Sequence, residues 1–171
     1  MSDFDVVSLP DTDYVDEGET APDFTRPLIE QRYWEDVSLS ELVADEAVVL
    51  VFHPMIGSSP ATYIWDEIRE RGWGERIRVV GVTVSTPYTH AKFLRERGLS
   101  DPYAIFSDPS NEVAERFGVT NDLDGMAGIS EPRPAVYVVG EGLGVEFAWV
   151  ATKWPEYPEY ERIQGQLPSF D

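Results

Sequence analysis

Six consecutive apolar residues, Ala47-Val48-Val49-Leu50-Val51-Phe52, stand between Glu46 and His53. The run is too short for an ordinary helix and rich in β-branched valine, so it predicts a strand. With no polar residue to turn toward water, that strand must be covered on both faces. The segments that follow fit a sheet of that kind. Ser59-Pro60 predicts a helix start, with Ser59 as cap and Pro60 at the first helical position. Ile64, Trp65 and Ile68 form the apolar stripe of this helix, and Gly72 ends it. Arg78 to Val84 predicts a second strand, Pro87 to Arg97 a second helix, Tyr103 to Phe106 a third strand, and Asn111 to Phe117 a third helix.

Ala135 to Val139 and Val145 to Val150 then flank Gly140-Glu141-Gly142-Leu143-Gly144, which predicts a hairpin. Strand and helix alternation closing on a hairpin gives an α/β fold with one mixed sheet flanked by helices. The chain has 171 residues, 42% of them hydrophobic, and shows no internal repeat, which predicts one domain. Residues 1–20 are acidic with no apolar period and read as a flexible or surface-lying arm, leaving 21–171 as the domain. The stretch Trp154 to Tyr160 is too proline-rich for a helix and is expected to pack its aromatics on the body.

With 32 acidic residues against 13 basic ones, the net charge is −19. Such a surface repels phosphate backbones and anionic lipid, so neither nucleic acid nor membrane is expected as a partner. No apolar run approaches the roughly 18 residues of a membrane span, and the N-terminus opens acidic, so a soluble cytoplasmic protein is expected. The acids spread along the whole chain and the only lysines are Lys92 and Lys153. This composition resembles that of haloarchaeal proteins, whose high-salt cytoplasm screens self-repulsion. Attraction to a basic partner is the alternative.

The segment joining the first strand to the first helix reads Phe52-His53-Pro54-Met55-Ile56-Gly57-Ser58-Ser59-Pro60-Ala61-Thr62. It resembles the active-site loop of the peroxiredoxins (the AhpC/TSA family of the thioredoxin-like superfamily), which runs Pro, three residues, Thr or Ser, two residues, Cys. Pro54 and Ser58 fall on the first two positions and Ala61 on the cysteine. Ala21-Pro22-Asp23-Phe24, Val80 to Pro87, Phe106-Ser107-Asp108-Pro109, Val113 to Val119, and Pro132 to Val139 resemble further family segments in the same order. The resemblance spans about 21–150 and implies a thioredoxin-like, peroxiredoxin-type fold.

It also implies a site made of Pro54, Ser58, Ala61 and Arg133. In the family a thiolate at a helix N-terminus, with an arginine nearby, attacks the peroxide. By that resemblance Ser58 would bind peroxide, Pro54 would shield the thiolate, and Arg133 would stabilise developing charge. Ala61 cannot be a nucleophile, and the chain contains no cysteine. The resemblance therefore points to a pseudoenzyme that keeps an anion or ligand pocket or acts in protein interaction. The alternative is an antioxidant thiol peroxidase by family inference, including an active-site Cys-to-Ala form of a one-cysteine enzyme. Gly57 in place of the usual aromatic, Pro60 before the key position, and Ile64 where the family often has Glu favour natural divergence. On this reading a small anion, a ligand carboxylate or water fills the pocket, and Ala61→Cys acquires a lowered thiol pKa. A homodimer is also implied, with Trp154, Tyr157 and Tyr160 as its apolar centre.

His53 lies five residues from Ser58, yet no acid is placed to orient it, so it reads as structural rather than as part of a hydrolase. His53 and His90 are too few and too isolated for a metal site, and no cofactor is expected. Gly140, Gly142 and Gly144 sit in a hairpin and not between strand and helix, so they are no dinucleotide loop. Trp65, Trp73 and Trp149 read as core.

Overall fold

The computed structural model describes residues 6–122 and 126–168. In chain order the elements are β1 (Val7–Ser8), β2 (Thr25–Ile29), β3 (Trp34–Ser38), α1 (Leu39–Leu42), β4 (Val48–Phe52), α2 (Ser59–Glu70), β5 (Arg78–Thr83) and α3 (Pro87–Glu96). They continue with β6 (Tyr103–Ser107), α4 (Glu112–Phe117), β7 (Thr120–Asn121), β8 (Glu131–Pro132), β9 (Ala135–Val139), β10 (Val145–Val150), β11 (Lys153–Trp154) and α5 (Tyr160–Gln164).

The all-apolar run becomes β4, an interior strand between β9 and β5 of a seven-stranded sheet ordered β10-β9-β4-β5-β6-β2-β3. β5 lies parallel to β4 and β6 parallel to β5, while β9 and β10 on one side and β2 and β3 on the other run antiparallel to their neighbours. Alternate residues of β4 serve two cores, as pleating requires. Val49 and Val51 face Ile64, Trp65 and Ile68 of α2 and Ala91, Phe93 and Leu94 of α3. Val48, Leu50 and Phe52 face Leu39 of α1 and Val113 and Phe117 of α4. Burying side chains of this size contributes about 1.5–3 kcal/mol each, which is why an element with no polar face is stable only here. The chain is thus a single α/β domain with one mixed sheet flanked by helices, as its residue pattern predicts.

One local feature differs from the expectations, and the structure places two further segments. α2 starts one residue early: Ser58, not Ser59, is its cap, and Pro60 occupies its second position. Both serines can cap, and only the loop geometry chooses between them. The proline-rich C-terminal stretch gives way at Tyr160 to the short helix α5, whose Ile163 is buried in the core. The acidic N-terminal stretch, as far as it is described, lies on the body. β1 pairs with β11, Leu9 is buried, and the Leu9 amide donates to the Thr152 carbonyl at 2.9 Å. Further along, Gly18 and Glu19 exchange backbone bonds with Val145 on the outer side of β10. Gly118, at φ +74, lies under this stretch, where a Cβ would meet the Tyr14 Cα at 2.8 Å. Among the described residues, no helix is long and apolar enough to cross a membrane.

Candidate functional site

β4 delivers the loop 53–58 to the C-terminal end of the central parallel strands, and α2 departs from it. Gly57 takes φ +101, a left-handed turn that a side chain would strain although no atom fills the space beside it. The loop is fastened from several sides. The Met55 amide donates to Glu131 Oε2 at 2.9 Å and the Ile56 amide to Ser85 Oγ at 2.9 Å. The Ser58 hydroxyl donates to the Met55 carbonyl at 2.7 Å while its oxygen accepts the Ala61 amide at 3.3 Å. Thr62 N–H bonds to the Ser58 carbonyl, and Pro60 has no N–H to offer. The donors that a helix N-terminus normally presents to an anion are therefore largely taken by the chain itself.

Beneath the loop His53 is fully buried. Trp65 Nε1–H donates to its Nε2 at 2.9 Å, which leaves Nδ1 protonated and donating to the Pro54 carbonyl at 2.7 Å. Burial pushes its pKa down to about 4, against the opposing pull of the Pro54 carbonyl. His90 of α3 is also fully buried, and neither of its ring nitrogens has a hydrogen-bond partner among the described residues. Burial, with the nearby His53, pushes its pKa down to about 3. Both rings are neutral structural groups, and His53 ties α2 to the loop.

Arg133 precedes β9 and is only 4% exposed. Its guanidinium donates to three backbone carbonyls, Thr120 at 2.9 Å, Ala151 at 3.1 Å and Pro10 at 3.2 Å. Burial lowers its pKa from the usual arginine value. The side chain thus gathers the N-terminal stretch, β7 and the segment after β10.

A cavity of about 500 Å³ opens beside the loop, lined by Pro54, Met55, Ile56, Gly57, Ser58 and Pro60 and, opposite them, by Met126, Trp154 and Glu131. Pro54 and Ser58 are therefore on its wall. Ala61, fully buried in the first turn of α2, and Arg133 are not. Among the described residues of the wall the one acid is Glu131, 2% exposed, and the rest are apolar or uncharged. A small anion, one of the occupants expected from the sequence, finds no cation among the described residues of this wall. Glu131, Met126 and Trp154 were not legible as site residues. The available signal was an acid between Ser130 and Pro132, shortly before the apolar strand that starts at Ala135.

A model of the AhpC/TSA family matches residues 18–147. No curated protein matches the chain. Among solved structures, it is similar to peroxidoxin BcpB from Mycobacterium tuberculosis at 26% identity and a TM-score of 0.64, over 80% of this chain and 86% of that one. It is also similar to a thiol peroxidase from Chromobacterium violaceum, at 19% identity and a TM-score of 0.72, over 90% of this chain and 87% of that one. The AhpC of Enterococcus faecalis matches at 16% identity and a TM-score of 0.66, over 88% of this chain and 89% of that one.

Proposed function

The chain belongs to the AhpC/TSA family, and from that premise we propose that it works as a cysteine-free binding protein of the family, a pseudoenzyme in place of a thiol peroxidase. The observation that carries the reading is the fate of the three retained family positions. Ser58 caps α2, Pro54 holds His53 through its carbonyl, and Arg133 is engaged by three carbonyls. With no cysteine in the sequence, nothing beside the loop can act as a low-pKa thiolate.

The ligand class follows from the cavity wall. Met55, Ile56, Met126 and Trp154 suit an apolar body, and Glu131 suits a neutral or cationic head and repels a carboxylate. This reading replaces the expected small anion. Hexylamine and hexanoate, matched in size and opposite in charge, test it by the methyl NMR signals of Met55 and Met126. The amine should shift both signals and the acid neither; shifts with hexanoate alone would overturn the ligand class. A purified sample should not consume hydrogen peroxide above a metal-free blank when a dithiol reductant is supplied.

The thiol-peroxidase reading keeps one support, the family itself. Peroxide turnover restored by Ala61→Cys would favour it. The proposal includes a high-salt cytoplasmic setting, motivated by the charge of −19. It also includes homodimerisation through exposed aromatics. Of the expected centre, Trp154 and Tyr160 are partly buried and Tyr157 is exposed, while Trp34 and Tyr88 form a second exposed aromatic pair. Light scattering giving a 19.3 kDa monomer at high micromolar concentration would remove the dimer.

A further inference from the structure

On the far side of α2 from the core, Tyr63, Asp66, Glu67 and Glu70 recur at the spacing of one helical face. Tyr157 and Tyr160 of the C-terminal segment stand opposite, and together these six residues line a groove of about 450 Å³. Two large rings remain in water here, Tyr63 at 60% and Tyr157 at 40% exposure. Their centroids are 6.2 Å apart and their planes cross at 77°, an edge-to-face pair open to solvent. Tyr157 lies between Pro155 and Pro158, whose fixed φ angles limit the freedom of the segment that carries it.

We propose that this groove is a docking site for an arginine-rich segment of a basic partner. A guanidinium is attracted to the faces of tyrosine rings and pairs with carboxylates through a planar fork, so a wall of both favours arginine over lysine. The groove already holds one such contact: the Arg71 guanidinium lies 5.2 Å from the centre of the Tyr160 ring and pairs with Glu67 at 2.8 Å. Asp66 is paired with Arg97. Tyr63, Tyr157 and the exposed carboxylate of Glu70 are left for a visitor, and Glu70 makes no ion pair among the described residues. Seven residues of helix separate Tyr63 from Glu70, about 10 Å, so one guanidinium seats at the tyrosines and a second at the carboxylate. That spacing needs a segment of chain and not a single small cation. The net charge of −19 draws such a segment in from a distance.

The test is fluorescence anisotropy with labelled hexa-arginine and hexa-lysine at one fixed salt concentration, on the intact protein and on Tyr63→Leu and Tyr157→Leu, which keep every charge. Tyr33→Leu, another exposed tyrosine, is the control, and thermal melts confirm that each variant folds. Hexa-arginine should bind several-fold more tightly than hexa-lysine. Each groove variant should weaken hexa-arginine by about threefold to tenfold, the scale of one cation–ring contact, and Tyr33→Leu should leave it unchanged. Equal binding of the two peptides, indifference to both groove variants, or no binding would overturn the proposal; the first two would mean that the acidic surface attracts any polycation.

Discussion

The Ser58 hydroxyl accepts the amide of Ala61 at 3.3 Å, so the residue at the family's peroxide-binding position serves as the cap of the helix that begins beside it. The same hydroxyl donates to the Met55 carbonyl and has no proton left for a ligand. Ser58→Ala should therefore act on stability, by about 1 kcal/mol, as the loss of a helix cap does. For a domain of this size that is a fall of about 2–4 °C in melting temperature. A melt in molar KCl that shows no change would mean that Ser58 is not fastened in this way.

Arg133→Met should be far more damaging. It leaves the carbonyls of Pro10, Thr120 and Ala151 without their donor, and each buried unsatisfied group costs about 1–3 kcal/mol. The Pro10 contact ties down the N-terminal stretch, so limited proteolysis of the variant should cut near residue 10 first. A variant as stable and as resistant as the parent would contradict the structural role assigned to Arg133.

Glu131→Gln should fold normally, since an amide oxygen can still accept the Met55 N–H, while Glu131→Ala orphans that donor and should cost about 1–3 kcal/mol. Glu131→Gln should also abolish the preference for hexylamine over hexanoate. Retained discrimination would place the selecting charge elsewhere.

Acid should destabilise the fold through His53 and His90. Their folded pKa values, about 4 and about 3, lie below the free value of 6.5. The unfolded chain therefore binds more protons between those limits, so stability is complete above about pH 6.5 and falls as pH drops toward 4. Each ring adds a slope of up to about 1.4 kcal/mol per pH unit. Urea melts in molar KCl, where repulsion among carboxylates is screened, should show this fall, and His90→Leu should remove about half of it. A slope unchanged in His90→Leu would reject the assignment.

Salt should stabilise the protein, because ions screen the self-repulsion of a chain at −19 over a Debye length of about 3 Å at 1 M. Melting temperatures that stay flat or fall from dilute buffer to molar KCl would reject the high-salt setting.

Much of the fold was legible because its main signals are local. An apolar run such as Ala47 to Phe52 permits one kind of strand, and Gly72 and Gly118 end helices by adopting φ angles of +66 and +74. Pro54 and Ser58, named from the family resemblance, line one cavity because residues four apart in one loop stay close together. The direction of Arg133 was not legible. Three carbonyls decide it, from residues 10, 120 and 151, and none of them has a side-chain signature. Glu131 was hidden for a related reason: one of its partners is the backbone amide of Met55, 76 residues away. The cap of α2 was misplaced by one residue because Ser58 and Ser59 carry the same chemistry.

The proposed function requires a peroxiredoxin scaffold without the charge environment of its thiolate, and a thiol placed at residue 61 by Ala61→Cys reports that environment most directly. At residue 61 the side chain is fully buried, the amide is capped by Ser58, and the guanidinium of Arg133 faces other carbonyls. Titration of the variant by thiolate absorbance should therefore give a pKa at or above the free value of about 8.5, unaltered by mild changes at Arg133 such as Arg133→Lys. This reverses the lowered pKa expected from the sequence. A thiol titrating well below 8.5, and shifting upward when Arg133 is replaced, would show that the family's site is intact and that only its cysteine is missing.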